Sequence, residues 1–151
     1  METIKLLPIT RQGRTPVTPA YQTAGAAAMD LHAFLEAPIT LEPGARALIP
    51  TGLCMEIPAG YGGFILARSG LSTRHGITMA NGVGLIDSDY RGEVHVSLAN
   101  RGDVPYTIQD GERIAQFVLL ATPTFAFAEA DALSDTARGT GGFGSTGMSK
   151  L

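Results

Sequence analysis

Asp87 follows the apolar pair Leu85-Ile86 and precedes Ser88-Asp89-Tyr90. A carboxylate held beside a pocket by apolar neighbours can orient a water molecule and take its proton. Just upstream, Asn81 carries both a donor and an acceptor, which suits the edge of a nucleobase, and Tyr90 offers a flat wall. The plainer reading of 81–92 is a hairpin whose loop uses Asp-Ser-Asp turn chemistry. A second group, Arg68-Ser69-Gly70-Leu71-Ser72, directly follows the apolar run Phe64-Ile65-Leu66-Ala67, where a strand gives way to a helical turn capped by Ser69. Free N–H groups and a planar guanidinium there suit an anion, although a capped turn with a surface arginine needs no ligand. The chain closes on Arg138-Gly139-Thr140-Gly141-Gly142-Phe143-Gly144-Ser145-Thr146-Gly147. Glycine lets backbone N–H groups approach phosphate oxygens and Phe143 offers a face to a planar ring; the alternative is a flexible terminal linker.

Two polar residues interrupt otherwise apolar strands. Gln116, within Arg113-Ile114-Ala115-Gln116-Phe117, is an amide that needs a structural or ligand partner. Asp30, within Ala28-Met29-Asp30-Leu31, suits a salt bridge to an arginine at least as well as work on a metal. His32, His75 and His95 are scattered without ligand spacing. No Gly-Lys-Ser/Thr triplet follows a glycine-rich loop, which disfavours P-loop chemistry.

The elements that must position these groups are short. Nineteen glycines and nine prolines punctuate brief apolar runs, and hardly any stretch has sustained helical periodicity. The pattern predicts an all-β protein with strands at 4–7, 28–33, 45–49, 54–57, 63–67, 92–99 and 113–120. From Glu93 to Leu98 the alternation is strict, placing Val94, Val96 and Leu98 on a core face and Glu93, His95 and Ser97 on a wet or interface face. Many short strands favour a barrel or jelly-roll-like sandwich. At 151 residues one domain, 1–151, is expected, with 136–151 as a flexible glycine-rich C-terminal lid. A net charge of −3 without basic runs speaks against nucleic acid as a partner. No apolar stretch is long enough to span a membrane and no signal peptide is recognisable, so a cytoplasmic protein is expected. The single cysteine, Cys54, reads as a small hydrophobe in a strand.

Taken in order, 28–31, 68–71, 81–92, 113–116 and 138–147 resemble the five motifs of the trimeric deoxyuridine triphosphatase (dUTPase) family. That resemblance implies a jelly-roll-like β-barrel of the β-clip kind, very little helix, a homotrimer with active sites shared between subunits, and magnesium-dependent hydrolysis of dUTP to dUMP and pyrophosphate. Such an activity keeps uracil out of DNA and supplies dUMP for thymidylate synthesis. It assigns Asp87 as the base for water attack on the α-phosphorus. Asn81 would meet the uracil edge, with main-chain groups from Leu85 and Ile86 to Asp87, and Tyr90 would pack under the deoxyribose. Arg68, Ser69 and Gly70 would hold phosphates on a second subunit's site, with Gln116 nearby. Arg138 would meet the γ-phosphate, Phe143 cover the uracil, and Gly144, Ser145 and Thr146 close over the triphosphate. His95 would border the pocket and Asp30 would support it by salt bridge or through a metal-bound water. Magnesium would be held by phosphates and waters, with no direct protein ligand. The related dCTP deaminases place a catalytic glutamate where this chain has Ser97, which argues against deamination; a noncatalytic nucleotide binder would be marked by loss of Asp87 or the tail, and both are present.

Overall fold

A computed structural model describes residues 3–142. Among these, ten strands and one short helix follow each other: β1 (Lys5–Pro8), β2 (Met29–His32), β3 (Ile39–Leu41), β4 (Arg46–Glu56), β5 (Tyr61–Ala67), α1 (Ser69–His75), β6 (Ile77–Met79), β7 (Gly84–Ile86), β8 (Glu93–Asn100), β9 (Tyr106–Ile108) and β10 (Arg113–Ala121). One antiparallel sheet has the order β1-β4-β8-β6, a second the order β2-β10-β5-β7, and β3 pairs with β9 as a ribbon. The result is the all-β protein that the strand spacing predicts, arranged as the jelly-roll-like barrel that the family resemblance implies.

Alternation decides which face is core. Val94, Val96 and Leu98 of β8 are buried, while His95 on the opposite face is exposed. They meet Leu31, Ile49, Leu53, Ile65, Ile114 and Phe117 from both four-stranded sheets in one apolar cluster. Burying a side chain of this size contributes about 1.5–3 kcal/mol, so this face is what sets the register. Two buried polar side chains are satisfied within the fold. Thr51 donates to the Val94 carbonyl at 2.7 Å, and Asn100 donates to the carbonyls of Leu41 and Val104, both at 2.8 Å.

Two local expectations need correction. The segments 45–49 and 54–57 are parts of one strand, β4, which runs through Pro50-Thr51-Gly52 by way of a register shift between Pro50 and Cys54. Gly52 makes that possible: its φ is +71°, and a Cβ there would stand 2.5 Å from Phe34 Cδ1. The other correction concerns 87–90, expected to be a hairpin loop between two extended arms. The arms β7 and β8 are extended, but β7 pairs with β5 and β8 with β4 and β6, so the loop crosses from one sheet to the other.

Beyond Thr122, whose N–H reaches the Gly60 carbonyl at 2.8 Å, the chain leaves the barrel. Residues 123–140 are exposed throughout, including Phe125 and Phe127, which meet edge to face at 5.4 Å. No helix among the described residues is long and apolar enough to cross a membrane.

Candidate active site

The sheet-to-sheet crossing builds a cavity of about 330 Å³ lined by Leu48, Leu85, Ile86, Asp87, Tyr90, Glu93 and His95. β7 ends at Ile86, so Asp87 is the first residue released from the sheet, and its carboxylate is exposed at the cavity. The loop then closes on itself. The Tyr90 N–H donates to the Asp87 carbonyl at 3.2 Å, and Arg91 donates to the carbonyls of Ser88 and Tyr90 at 2.7 and 2.9 Å. The Tyr90 hydroxyl reaches forward to the Glu93 carbonyl at 3.0 Å. Its phenol lies across Gly92, where any side chain would collide with it. From the β8 side, His95 Nδ1 lies 3.0 Å from the same carbonyl. A carbonyl oxygen only accepts, so Nδ1 carries the proton.

A second cluster sits where β2, β10 and β5 run side by side. Asp30, 5% exposed, accepts from Arg68 Nε at 3.1 Å and from Arg113 Nη1 at 3.2 Å. Arg68 Nη1 also donates to the Arg113 carbonyl at 2.9 Å. Asp30 thus forms salt bridges with both arginines. Gln116 is in register with both Asp30 and Leu66 and is half-buried. His32 is in register with Arg113, and its Nδ1 is buried without a partner among the described residues. Burial holds its pKa below the usual histidine value, partly countered by the Asp30 carboxylate.

Ser69 does not cap the helix. The boundary residue is Arg68, in extended conformation and without a side-chain capping bond, and Ser69 and Gly70 form the exposed first turn of α1. Their N–H groups remain among the orphan donors of a helix start, beside a guanidinium held in place by Asp30.

Asp87, Leu85, Ile86, Tyr90 and His95 are therefore brought together. Arg68, Ser69, Gly70, Asn81 and Gln116 do not line this cavity. Asn81 lies exposed in the turn between β6 and β7. Arg138 is in the exposed arm, in a turn where its Nε donates to the Gly141 carbonyl at 3.0 Å. Phe143, Gly144, Ser145 and Thr146 lie outside the described residues. Sequence reasoning missed Leu48, Glu93 and Arg113. The signal for Arg113 was present: a buried acid in β2 requires cations, and this arginine opens one of the motif strands.

A family model for dUTPase matches residues 16–147. The chain belongs to the dUTPase family. It is 50% identical over 151 residues to the deoxyuridine 5'-triphosphate nucleotidohydrolase of Desulfitobacterium hafniense (strain DSM 10664 / DCB-2), covering 99% of this chain and 100% of that one. To the Sinorhizobium medicae enzyme of the same name it is 56% identical over 133 residues, 87% of this chain and 83% of the relative. Among solved structures, a mutant of the Staphylococcus bacteriophage 80alpha dUTPase with dUpNHpp superposes with a TM-score of 0.87 at 24% identity, covering 98% and 100% of the two chains. A mutant dUTPase from phage phi11 of S. aureus, which coordinates a structural Mg(II) ion, matches with a TM-score of 0.76 at 21% identity over 87% and 98%. In the present dUTPase, no group of three or more His, Cys, Asp or Glu side chains converges among the described residues. Both carboxylate oxygens of Asp30, the acid beside Arg68, already accept from arginines.

Proposed function

We propose that the chain hydrolyses dUTP to dUMP and pyrophosphate by the attack of an Asp87-activated water on the α-phosphorus. As a member of the dUTPase family the chain is a dUTP diphosphatase. In the proposed step Asp87 takes a proton as the water oxygen bonds to the α-phosphorus, and the bond to the bridging oxygen breaks with pyrophosphate leaving in line. General base assistance of this kind contributes roughly 10² to 10⁴ in rate. Asn81, from the turn before β7, and the main chain from Leu85 to Asp87 read the uracil edge and leave no room for a thymine methyl. Tyr90 underlies the deoxyribose and leaves no room for a ribose 2′-hydroxyl, and His95 borders the pocket.

The observation that carries this reading is the division of the machinery. Asp87 and Tyr90 line the cavity, whereas the anion-binding groups Arg68, Ser69, Gly70 and Gln116 do not. A site completed in a homotrimer resolves it: a second copy presents these groups to the phosphates. The tail of the same 1–151 unit, from 136 onward, closes with Arg138 at the γ-phosphate, Phe143 over the uracil, and Gly144, Ser145 and Thr146 around the triphosphate. Magnesium suits this arrangement because a hard cation can be held by phosphate oxygens and waters; when bound, it would neutralise charge on the phosphates. The reaction would supply dUMP for thymidylate synthesis and keep uracil out of DNA, and a cytoplasmic location accords with both.

Pyrophosphate release measured across dUTP, dCTP, dTTP and UTP, with and without magnesium, tests the reaction, the base and the sugar together. Turnover of dUTP alone, and only with magnesium, is expected. Comparable rates with dTTP or UTP would overturn the pocket roles, and no release from dUTP would overturn the reaction.

A further inference from the structure

Tyr90 and His95, the two rings of the cavity, both donate to one atom, the carbonyl oxygen of Glu93. The Glu93 side chain ties the same residue into the fold. One carboxylate oxygen accepts from the Gly52 N–H at 2.8 Å, and the other is paired with the Arg11 guanidinium. Gly52 lies where β4 slips out of register with β8, so the Glu93 carboxylate takes up an N–H in that irregular stretch. The ion pair is not a surface one. The side chains are 27% exposed for Arg11 and 12% for Glu93, so little water screens them.

Arg11 is itself anchored from several directions. Its guanidinium carbon lies 5.4 Å from the centre of the Phe34 ring, in cation–π range. Its backbone closes a bridge with Arg14 through N–H to carbonyl bonds of 3.0 and 2.9 Å, around Gln12 and Gly13 at positive φ. The turn at 11–14 thus holds a cation against β8, far away in sequence, and β8 holds the cavity rings.

We infer that Glu93 and Arg11 are positioning residues, setting how Tyr90 and His95 stand in the cavity and thereby the preference for deoxyribose over ribose. This rests on Tyr90 as the wall beneath the sugar. Neither residue needs to touch substrate. Glu93 acts through its own carbonyl and through its Oε2, which lies 3.9 Å from His95 Nε2, and Arg11 acts through Glu93.

The test is kcat and KM for dUTP and UTP with Glu93→Gln, Arg11→Ala and Arg11→Lys in the full chain, alongside Tyr90→Ala and the thermal midpoint. Glu93→Gln keeps the acceptor for Gly52 but loses the charge facing Arg11. The dUTP-to-UTP ratio of kcat/KM should fall at least about tenfold in Glu93→Gln and Arg11→Ala, the scale of one lost hydrogen bond to a charged group. Arg11→Lys should recover part of the ratio. A lowered midpoint with an unchanged ratio would mean a merely structural pair and overturn the inference. Should Glu93→Gln fail to fold, the comparison of Arg11→Lys with Arg11→Ala decides, since equal ratios in these two would also overturn it. If Tyr90→Ala leaves the ratio at the parent value, the reading of the sugar wall fails instead.

Discussion

Replacing Asp30 by alanine removes the carboxylate that, among the described residues, holds Arg68 beside the first turn of α1. Asp30 is 5% exposed and accepts at 3.1 Å from Arg68 and 3.2 Å from Arg113. A hydrogen bond to a charged group contributes about 1.5–3 kcal/mol, so two such bonds set an upper bound of roughly 3–6 kcal/mol. The arginine side chains are 25% and 49% exposed and can turn partly to water when the acid is lost. With that discount the expected destabilisation is about 2–3 kcal/mol, below the full cost of stranding a buried charge. Arg113→Ala should cost only about 1 kcal/mol, because its guanidinium is half in solvent already. Urea unfolding at one fixed chain concentration, without nucleotide, measures these differences without mixing in ligand or assembly effects. A double-mutant cycle between Asp30 and Arg68 should return a coupling of about 1–2 kcal/mol. KM for dUTP should rise as Arg68 loses its anchor. An Asp30→Ala chain within about 0.5 kcal/mol of the parent, with an unchanged KM, would refute the reasoning.

Gly52→Ala combines a left-handed backbone with a Cβ 2.5 Å from Phe34 Cδ1, and should destabilise by at least about 2 kcal/mol in the same urea assay, whereas Gly44→Ala, with open space around it, should cost only the backbone strain of about 1–2 kcal/mol. Burial and its bond to Glu112 push the Tyr106 phenol up to about 12. Because the unfolded chain then loses this proton first, stability should fall between about pH 10 and 12, and Tyr106→Phe should flatten that limb in denaturant midpoints taken across the range. His32 has the opposite sign: its lowered pKa means that the unfolded chain binds the proton more readily, so stability present above the ordinary histidine value is lost as pH falls through it. His32→Gln should reduce that acid-side loss.

The local alternation of β8 was legible because one side of a strand must meet the core, and Val94, Val96 and Leu98 do so. The break read at Pro50–Gly52 was not a break: proline and glycine end most strands, but here Gly52 absorbs a register shift that only the packing of Phe34 makes visible. The three-residue strands β3, β6, β7 and β9 gave too short a pattern to separate from loop. Ser69 looked like a helix cap because serine usually is one, yet the helix starts one residue earlier than such a cap allows. The chemistry-bearing residues stood out by type, since an acid after two apolar residues and an amide in an apolar strand are conspicuous. What supports them did not. Arg11 and Glu93 come from distant parts of the chain, and only the tertiary fold joins them. The separation of Asp87 from Arg68 and Gln116 likewise depends on which strands pair, a property that no local motif carries.

The most direct measurement is pyrophosphate release by Asp87→Asn beside nucleotide binding by the same chain. The amide preserves the shape of the group and the cavity around it but is not a base. Turnover of dUTP should fall by roughly 10² to 10⁴ while dUTP still binds close to parent affinity. Release at a rate comparable to the parent would contradict Asp87 as the residue that activates water.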